Sequence, residues 1–554
     1  MNTSEKLKLF DNKRTEVFFL LVVSHAKAFV WGSLVLILIF SSFLTTLTKD
    51  VSSDSFINKD DPALIYKNKI KDTFGLTDPM VIAIYHEDTI YNSETINLIH
   101  RLTRSIEKIS NIDPERVVSI TNVNNIYGNF DGMVVEPFLD LDIKLSGKNL
   151  ERVKNAVKDF PLYTGTLVSA DSTVSVIVAE VMDTQKAGET YDKIIKLTTS
   201  EVLQENESIH VAGEGAVAGY LGSYIDRDAQ RLNPIAALVI SLILFIAYRN
   251  ITATLLPNII VLATVSSALG IMAGFGVPFF VVTNGLVVIL IGIAVADSIH
   301  IFCQYFEERE NSCDKSTSEI VVNTMLEMWR PITLTSITTI AGFMGLYLAS
   351  EMPPFKYLGL FSALGVAIAW LYSMVFLPAA LSLIPIRKGN KPLNEKVSKK
   401  TEDISARIMS NLGRLTVANS KKIVFLFVLA FGVGIYGVIN VTVNENRIGV
   451  FNKNEPIYKA DNLINLKLNG SNNLDIVIET PETEDLFKPE NLLAIEKLQE
   501  YVESLPMVGG AVSVVDYIKQ MNKALNEGDN SYFKIPDDQD LIAQLFLLYS
   551  LSGD

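Results

Sequence analysis

Apolar residues along this chain are gathered into runs rather than spread. Seven runs are long enough to cross a bilayer as helix, which takes about 20 residues. They fall at roughly 28–48, 232–248, 255–275, 278–304, 331–349, 356–385 and 422–440, and the second has the shortest apolar core. Between the first two runs the pattern changes. "PMVIAIY" (79–85), "RVVSI" (116–120), "TVSVIVAEV" (173–181) and "SIHVAG" (208–213) are short β-branched runs that predict strands. "SETINLIHRLTRSIEKIS" (93–110), "NLERVKNAVKDF" (149–160) and "ETYDKIIKLTTSEVLQ" (189–204) carry apolar residues at helical spacing. The order β-α-β-(α)-β-α-β predicts a ferredoxin-like, split βαβ packing. The stretch 122–148 reads as irregular.

Positive charge orients the runs, because loops rich in Lys and Arg stay in the cytoplasm. The N-terminus carries Lys6, Lys8, Lys13, Arg14 and Lys27 ahead of the first run, which reads as a signal-anchor helix. Arg249 sits in the second-to-third connection, and Arg309, Lys315 and Arg330 between the fourth and fifth runs. Arg387, Lys388, Lys391, Lys396, Lys399, Lys400, Arg407, Arg414, Lys421 and Lys422 lie between the sixth and seventh. Alternation puts all of these loops inside. The expected organisation is then a cytoplasmic N-terminus (1–27), a first helix (28–48) and an extracytoplasmic domain (49–231). Helices two to six (232–385), a cytoplasmic linker (386–421), a seventh helix (422–440) and a second extracytoplasmic segment (441–554) follow.

The two outer segments repeat each other. "NKDDPALIYKNKIKDTFG" (58–75) is similar to "NKNEPIYKADNLINLKLNG" (452–470), pairing Pro62 with Pro456 and Asp61 with Glu455. At the same offset Ile82-Ala83-Ile84 pairs with Ile476-Val477-Ile478, and Val118-Ser119-Ile120 with Val512-Ser513-Val514. Each copy follows a membrane run, and duplicated halves are a transporter signature. Five further runs follow the first copy and none follows the second, so the chain is expected to be a fragment or one product of a split gene.

Composition agrees with the runs: 49% of the 554 residues are hydrophobic and the mean hydropathy is +0.28. A net charge of −14 argues against nucleic acid as a partner. Two cysteines, Cys303 and Cys313, make no disulfide framework, and no clustered ligands suggest a metal. No P-loop is present, and no Ser-His-Asp or paired-carboxylate arrangement suggests an enzyme. No cofactor is expected. Work done by this chain would draw on an ion gradient, worth about 2.3 kcal/mol per charge and 100 mV.

The candidate chemistry lies in "GIAVADSIHIFCQYFEERE" (292–310), where Asp297 and His300 appear before the apolar pattern ends. A charge at the centre of a membrane helix costs about 2.5–3.5 kcal/mol on insertion scales, so such a carboxylate reads as a proton-binding group. His300 follows three residues on, on nearly the same helix face, and imidazole suits a relay. Ser298 and Gln304 add polar neighbours. In "RPITLTSITTIAGFMGL" (330–346), Thr333, Thr335, Ser336, Thr338 and Thr339 bring an unusual hydroxyl density. They either line a hydrated path facing Asp297 or bond to their own helix and its neighbours.

These blocks resemble the resistance-nodulation-division (RND) superfamily, in its hydrophobe/amphiphile efflux branch close to the mycobacterial-membrane-protein-large (MMPL) type. "INKDDPALIYKNKIKDTFG", "GIAVADSIHIFCQYFEE", "RPITLTSITTIAGFMGL" and "PPFKYLGLFSALGVAIAWLYSMVFLPAALSL" (353–383) carry the resemblance, which covers essentially the whole chain. It implies a polytopic α-helical membrane protein with a sterol-sensing-like bundle and α+β porter domains outside the membrane. It places the family's fourth-helix acidic motif on Ala296 and Asp297; many relatives carry two acids there, and this chain has one. His300 matches a histidine often seen in this branch. The resemblance also implies a second five-helix bundle that this sequence does not contain.

The expected function is a proton-driven exporter of lipids or other hydrophobic molecules in the cell inner membrane, a secondary transporter rather than an enzyme. Protons and a lipid-like substrate would be its partners, with a homo-oligomer or a partner subunit completing the assembly. Two other readings stay open: a non-transporting lipid sensor on the same bundle, and a SecDF-like accessory to protein secretion.

Overall fold

The computed structural model describes residues 3–130, 132–139, 147–311, 315–384, 395–442 and 448–551. Cys313, Arg387, Lys388, Lys391 and part of the stretch expected to be irregular (140–146) lie outside these residues.

In chain order the helices are α1 (Thr3–Ser24), α2 (Ala26–Ser42), α3 (Pro62–Phe74), α4 (Ser93–Ile106), α5 (Gly147–Lys158) and α6 (Ala187–Ser200). Then come α7 (Glu214–Tyr248), α8 (Ile251–Gly274), α9 (Asn284–Asn311), α10 (Thr317–Ala349) and α11 (Pro353–Leu371). A π-helical turn, Tyr372–Phe376, joins α11 to α12 (Leu377–Ser382). The rest are α13 (Glu395–Ala418), α14 (Ser420–Ile439), α15 (Pro456–Lys467), α16 (Pro489–Glu503), α17 (Val514–Leu525) and α18 (Gln539–Leu551). Among the described residues, seven stretches are long and apolar enough to cross a membrane: Ala26–Thr46, Glu214–Tyr248, Ile251–Gly274, Val281–Glu310, Thr317–Ala349, Pro353–Ser382 and Ser420–Ile439. The protein is a polytopic membrane protein.

One of these stretches corrects the reading of the sequence. The helix expected over 232–248 begins at Glu214 and runs for 35 residues. Its first turns are polar enough to look like domain, and they are packed there. Gly215 and Gly219 make that packing close: a Cβ at Gly219 would lie 2.6 Å from the Ala187 carbonyl oxygen, and one at Gly215 2.7 Å from that of Asp78. Small residues four apart present a flat helix face to a neighbour.

The chain divides into two compact units by its internal contacts. One comprises Ser33–His300, Arg330–Ser373 and Ile448–Asp554. Its sheet holds four strands: β1 (Asp78–His86), β2 (Ile112–Val118), β5 (Val174–Val181) and β6 (Glu207–Ala212), in the spatial order β2-β5-β1-β6, every neighbouring pair antiparallel. β1 is paired on both edges and buried on most positions, which explains its near-continuous apolar run. Helices α4 and α6 fill the crossings. Asn92 caps α4 by accepting from the amides of Glu94 and Thr95.

The stretch read as irregular contains a hairpin, β3 (Asn124–Asn129) with β4 (Gly132–Pro137). The Asp131-Gly132 pair between two short runs was the available signal.

The second copy of the repeat keeps its helix and loses its strands. Pro456–Lys467 answers Pro62–Phe74, each with proline at the first turn. Residues 472–480 and 506–512, the counterparts of β1 and β2, carry no ladder. The sheet order explains this: β1 and β2 are never neighbours, since β5 lies between them. Between themselves those two positions form no pair.

Residues 448–551 nonetheless share a core with 49–231. Leu492, Ile518 and Leu545 belong to the same apolar cluster as Ile82, Ile99 and Ile177. Asn469 donates its amide to the Gly165 carbonyl at 2.8 Å, and Gln520 Nε2 donates to the Ile126 carbonyl at 2.7 Å. Lys467 pairs with Asp171 at 2.6 Å. Burial alone would raise the Asp171 carboxyl, but the bonds from Lys467, Thr173 and Ser169 outweigh it and hold it well below the usual range.

Of the membrane helices, α8, α9 and α11 are the most enclosed. At least half of their apolar windows is buried, against 6% for α2 and α7. Close approach again rests on glycine: a Cβ at Gly270 of α8 would overlap the Phe40 carbonyl of α2.

The other unit comprises Met1–Gly32, Ile301–Trp329 and Met374–Arg447. Val22 and Ala26 pack on Ala379 of α12. The end of α9 and the start of α10 are tied by Gln304 to Glu327 and by Asn323 to Glu308 at 2.9 Å. α14 buries none of its residues.

Replacing Gly270 by valine is expected to separate α2 from α8 and to destabilise the protein by about 1–3 kcal/mol. Gly274→Ala, whose new methyl would meet Phe43 at 3.5 Å, is expected to be neutral. Thermal melts of the two variants in detergent check the contrast.

Candidate functional site

The strongest candidate is Asp297, at the midpoint of α9. Its side chain is enclosed, with 6% of the residue exposed, and its Oδ2 has no hydrogen-bond partner in the protein. Ser298 beside it is fully buried and returns its hydroxyl to the Ala294 carbonyl at 2.9 Å. His300 is exposed, and no hydrogen bond among the described residues joins it to Asp297. Three residues turn a helix by about 300°, so the two side chains sit on adjoining faces, and only one faces the neighbours within this unit.

The hydroxyls of α10 divide in two. Thr335, Thr338 and Thr339 donate to carbonyls of their own helix: Ile332 at 2.9 Å, Leu334 at 3.1 Å and Thr335 at 2.8 Å. Ser336 faces inward with 3% exposure and donates to nothing in the protein. Gln304 belongs to the other unit, where it holds Glu327. Sequence reasoning missed the polar residues on α8 and α11. Thr264, Ser362 and Ser373 are fully buried hydroxyls without a protein partner. Ser267 reaches the Tyr372 hydroxyl at 3.4 Å. The signal was the one used for α10, hydroxyl residues inside apolar helices, here "TVSSA" (264–268) and "YS" (372–373).

The helices around Asp297 are held by specific polar bonds. Trp370 donates its indole N–H to Thr333 at 3.0 Å, tying α11 to α10. Tyr248, at the end of α7, donates its hydroxyl to the Ile299 carbonyl at 3.3 Å. The turn from α7 to α8 is two residues long, with Arg249 left-handed at φ 46° and Asn250 capping α8 through the amides of Thr252 and Ala253. No cluster of three or more His, Cys, Asp or Glu able to hold a metal occurs among the described residues.

A buried, unpaired acid on a central helix of a polytopic bundle is an arrangement that ion-coupled membrane proteins use. The family model described as "MMPL family" matches residues 99–423, more than half of the chain and all of α7 to α12. The chain belongs to the MMPL family. This family lies in the RND superfamily, and its members are membrane transporters rather than enzymes. Membrane protein MJ1562 of Methanocaldococcus jannaschii is 22% identical over 370 residues, 65% of this chain and 91% of that protein. MmpL3 of Mycobacterium leprae, named a probable trehalose monomycolate exporter, is 28% identical over 182 residues, 32% of this chain and 18% of that protein. MmpL2 of Mycobacterium tuberculosis, named a probable transport protein, is 25% identical over 297 residues, 49% of this chain and 30% of that protein. The MMPL chain described here thus spans most of the archaeal relative and less than a third of either mycobacterial one.

Two cavities among the described residues of this MMPL protein are lined by residues 161–227 and 456–519. One, of about 500 Å³, is lined by Leu162, Thr166, Asn469, Glu500 and Gly510 among others. The other, of about 710 Å³, is more apolar, with Tyr191, Ile195, Leu203, Val211, Tyr220 and Arg227 on its walls. Arg227 stacks its guanidinium over Tyr220 and Tyr224, 5.2 Å and 5.5 Å from the ring centres. His210, also on this wall, is held below the usual imidazole range by burial and then by the charge of Lys459.

A buried carboxylate whose oxygen has no partner in the protein adds no bond that holds the helices together. Asp297→Asn is therefore expected to leave the melting temperature in detergent unchanged, and Asp297→Leu to raise it, since leucine removes a polar group that costs about 1–3 kcal/mol to leave unpaired. A loss of stability in both variants would instead mean that the carboxylate holds the bundle together.

Proposed function

We propose that this chain carries the proton-coupled half of an MMPL-type exporter that moves lipids or other hydrophobic, amphiphilic molecules outward from the cell inner membrane. The observation that carries the reading is the Asp297 carboxylate, enclosed in a membrane helix with Oδ2 unpaired. An acid in that position is costly unless it exchanges a proton, and the proton-motive force supplies one. Asp297 takes the proton from the outer side, and His300, exposed one turn further on, passes it inward.

Basic loops support a cytoplasmic N-terminus with both repeat copies outside. The sheet order β2-β5-β1-β6 fits ferredoxin-like porter domains for the outer part. The apolar cavity beside Tyr191 and Tyr220 has the size and lining for one amphiphile. α7 links the two regions: its first turns pack beneath β1 and α6 through Gly215 and Gly219, and its last residue bonds the carbonyl two positions beyond Asp297. A change of packing at Asp297 on protonation is transmitted along that one helix.

The test is accumulation of a fluorescent amphiphile, 1-N-phenylnaphthylamine, by cells expressing the chain. Expressing cells are expected to hold less dye than controls. The difference should vanish with a protonophore and in Asp297→Asn at equal expression. Undiminished exclusion of the dye by Asp297→Asn would overturn the mechanism.

A further inference from the structure

The more apolar of the two cavities, of about 710 Å³, is walled by α6, β6, the first turns of α7 and the start of α15, all within one unit of the chain. Two cations stand at it. Arg227 is on the wall. Lys459 follows the wall residue Pro456 by one turn, close enough for its charge to act on His210. Among the described residues neither cation has a carboxylate within ion-pair distance. The acids nearby are already engaged. Asp226 is paired with Lys49, Glu455 accepts from the Tyr220 hydroxyl, and Asp192 accepts from Ser223 at 3.4 Å.

The repeat shows how Arg227 is held. In the first copy Asp61 caps α3 by accepting from the Ala63 amide. Its counterpart Glu455 caps nothing at α15 and takes the Tyr220 hydroxyl instead. Phe451 packs edge-on against Tyr220 and Tyr224, at 5.4 Å and 5.7 Å between ring centres. The two rings over which Arg227 stacks are thereby fixed. Stacking uses the face of a guanidinium, and its N–H donors point from the edge. Tyr220 engages part of that edge, and five donors leave a fork for two oxygens of one carboxylate or phosphate.

Depth along α7 says where such an anion comes from. Arg227 precedes Leu232, where the apolar run begins, by five residues (232 − 227), about 7 Å of helix. Headgroups occupy about 5–8 Å on each side of the hydrocarbon core. Arg227 is therefore at headgroup height, and Ile195, Leu203, Ile209 and Val211 line the same cavity. Resting on the reading of the chain as an exporter, we propose that this cavity takes an amphiphile with an anionic headgroup, a carboxylate or phosphate monoester, drawn from the adjoining leaflet. The head sits in the Arg227 fork with Lys459 adding charge, and the chain lies along Ile195, Leu203, Ile209 and Val211. The cargo is then an acidic lipid: a neutral head leaves both cations unpaired, and a cationic head is repelled by them.

The probe is a diazirine-bearing hexadecanoic acid, with its methyl ester as the neutral control. Each is photolysed with the full chain in maltoside detergent, and the adducts are mapped by peptide mass spectrometry. The acid is expected to label residues 191–211 at least about tenfold more than the ester, as loss of a charged hydrogen-bonded pair predicts. Arg227→Gln should remove most of that excess and leave labelling by the ester unchanged, while Arg227→Lys, which keeps the charge, should retain part of it. Dodecyl phosphate should compete with the acid, and inorganic phosphate at the same concentration should not. Equal labelling of 191–211 by acid and ester in the unaltered protein, or an excess that survives Arg227→Gln, would overturn the proposal, and the first comparison needs no variant to fold. Competition by inorganic phosphate as strong as by dodecyl phosphate would also overturn it, leaving a site for free anions. Absence of the acid's preference with dye efflux still dependent on Asp297 would remove this inference alone. A clear preference with efflux indifferent to Asp297→Asn would remove the exporter mechanism and leave the anionic site.

Discussion

A bilayer offers no water to a polar group, and the membrane part of this protein is organised by that constraint. Backbone amides close their bonds within helices. Side-chain hydroxyls do the same where they can: Ser298 bonds Ala294, Thr324 bonds Ile320, and the threonines of α10 bond their own turns. Once this local solution is recognised as the default, the groups that depart from it stand out. Asp297, Thr264, Ser336, Ser362 and Ser373 are enclosed and not bonded to protein. They lie on α8, α9, α10, α11 and the π-turn that follows it, and α8, α9 and α11 are the most enclosed of the membrane helices. The polar groups with no local solution are thus concentrated where lipid is furthest away.

Much of the fold was legible because it rests on local pattern. The seven spans follow from hydrophobic length, the four strands from short β-branched runs, and α4, α5 and α6 from helical spacing. What escaped depends on partners distant in sequence. The first turns of α7 are polar by composition and helical because Gly215 and Gly219 fit against Asp78 and Ala187. The hairpin at 124–137 was hidden by its polar residues, although Asp131-Gly132 announced a turn. The matching of Ile476–Ile478 to Ile82–Ile84 was real as sequence, but a strand exists only when a neighbour pairs with it. In the order β2-β5-β1-β6 the first two strands of a copy are not neighbours.

The site was legible in part for the same reason. Asp297 was conspicuous because a charge in an apolar run needs no structure to be noticed. His300 was expected on nearly the same face from its spacing, yet the 60° between positions three apart is enough to turn it outward. The hydroxyl density of α10 drew attention because it was dense. Thr264 and Ser373 are sparse, and their interest comes from what they fail to bond, which no sequence shows. The π-turn at Tyr372 is equally silent in sequence, since an extra residue in one turn leaves composition and hydropathy unchanged.

α7 gives these observations a common geometry. It is one helix of 35 residues, about 52 Å long at 1.5 Å per residue. One end is clamped by glycine contacts beneath β1 and α6, and the other by the bond from Tyr248 to Ile299. Between them lies Pro234, whose missing N–H weakens the helix at that turn. Interior proline is where a long helix bends most readily. A rigid rod would carry any displacement at Asp297 to the sheet undiminished, while a rod with one weak turn converts it into a swing about that point. The same proline would be a defect in a helix that only filled a bundle. In a helix held at both ends by different parts of the molecule, it is the turn at which the rod is least stiff.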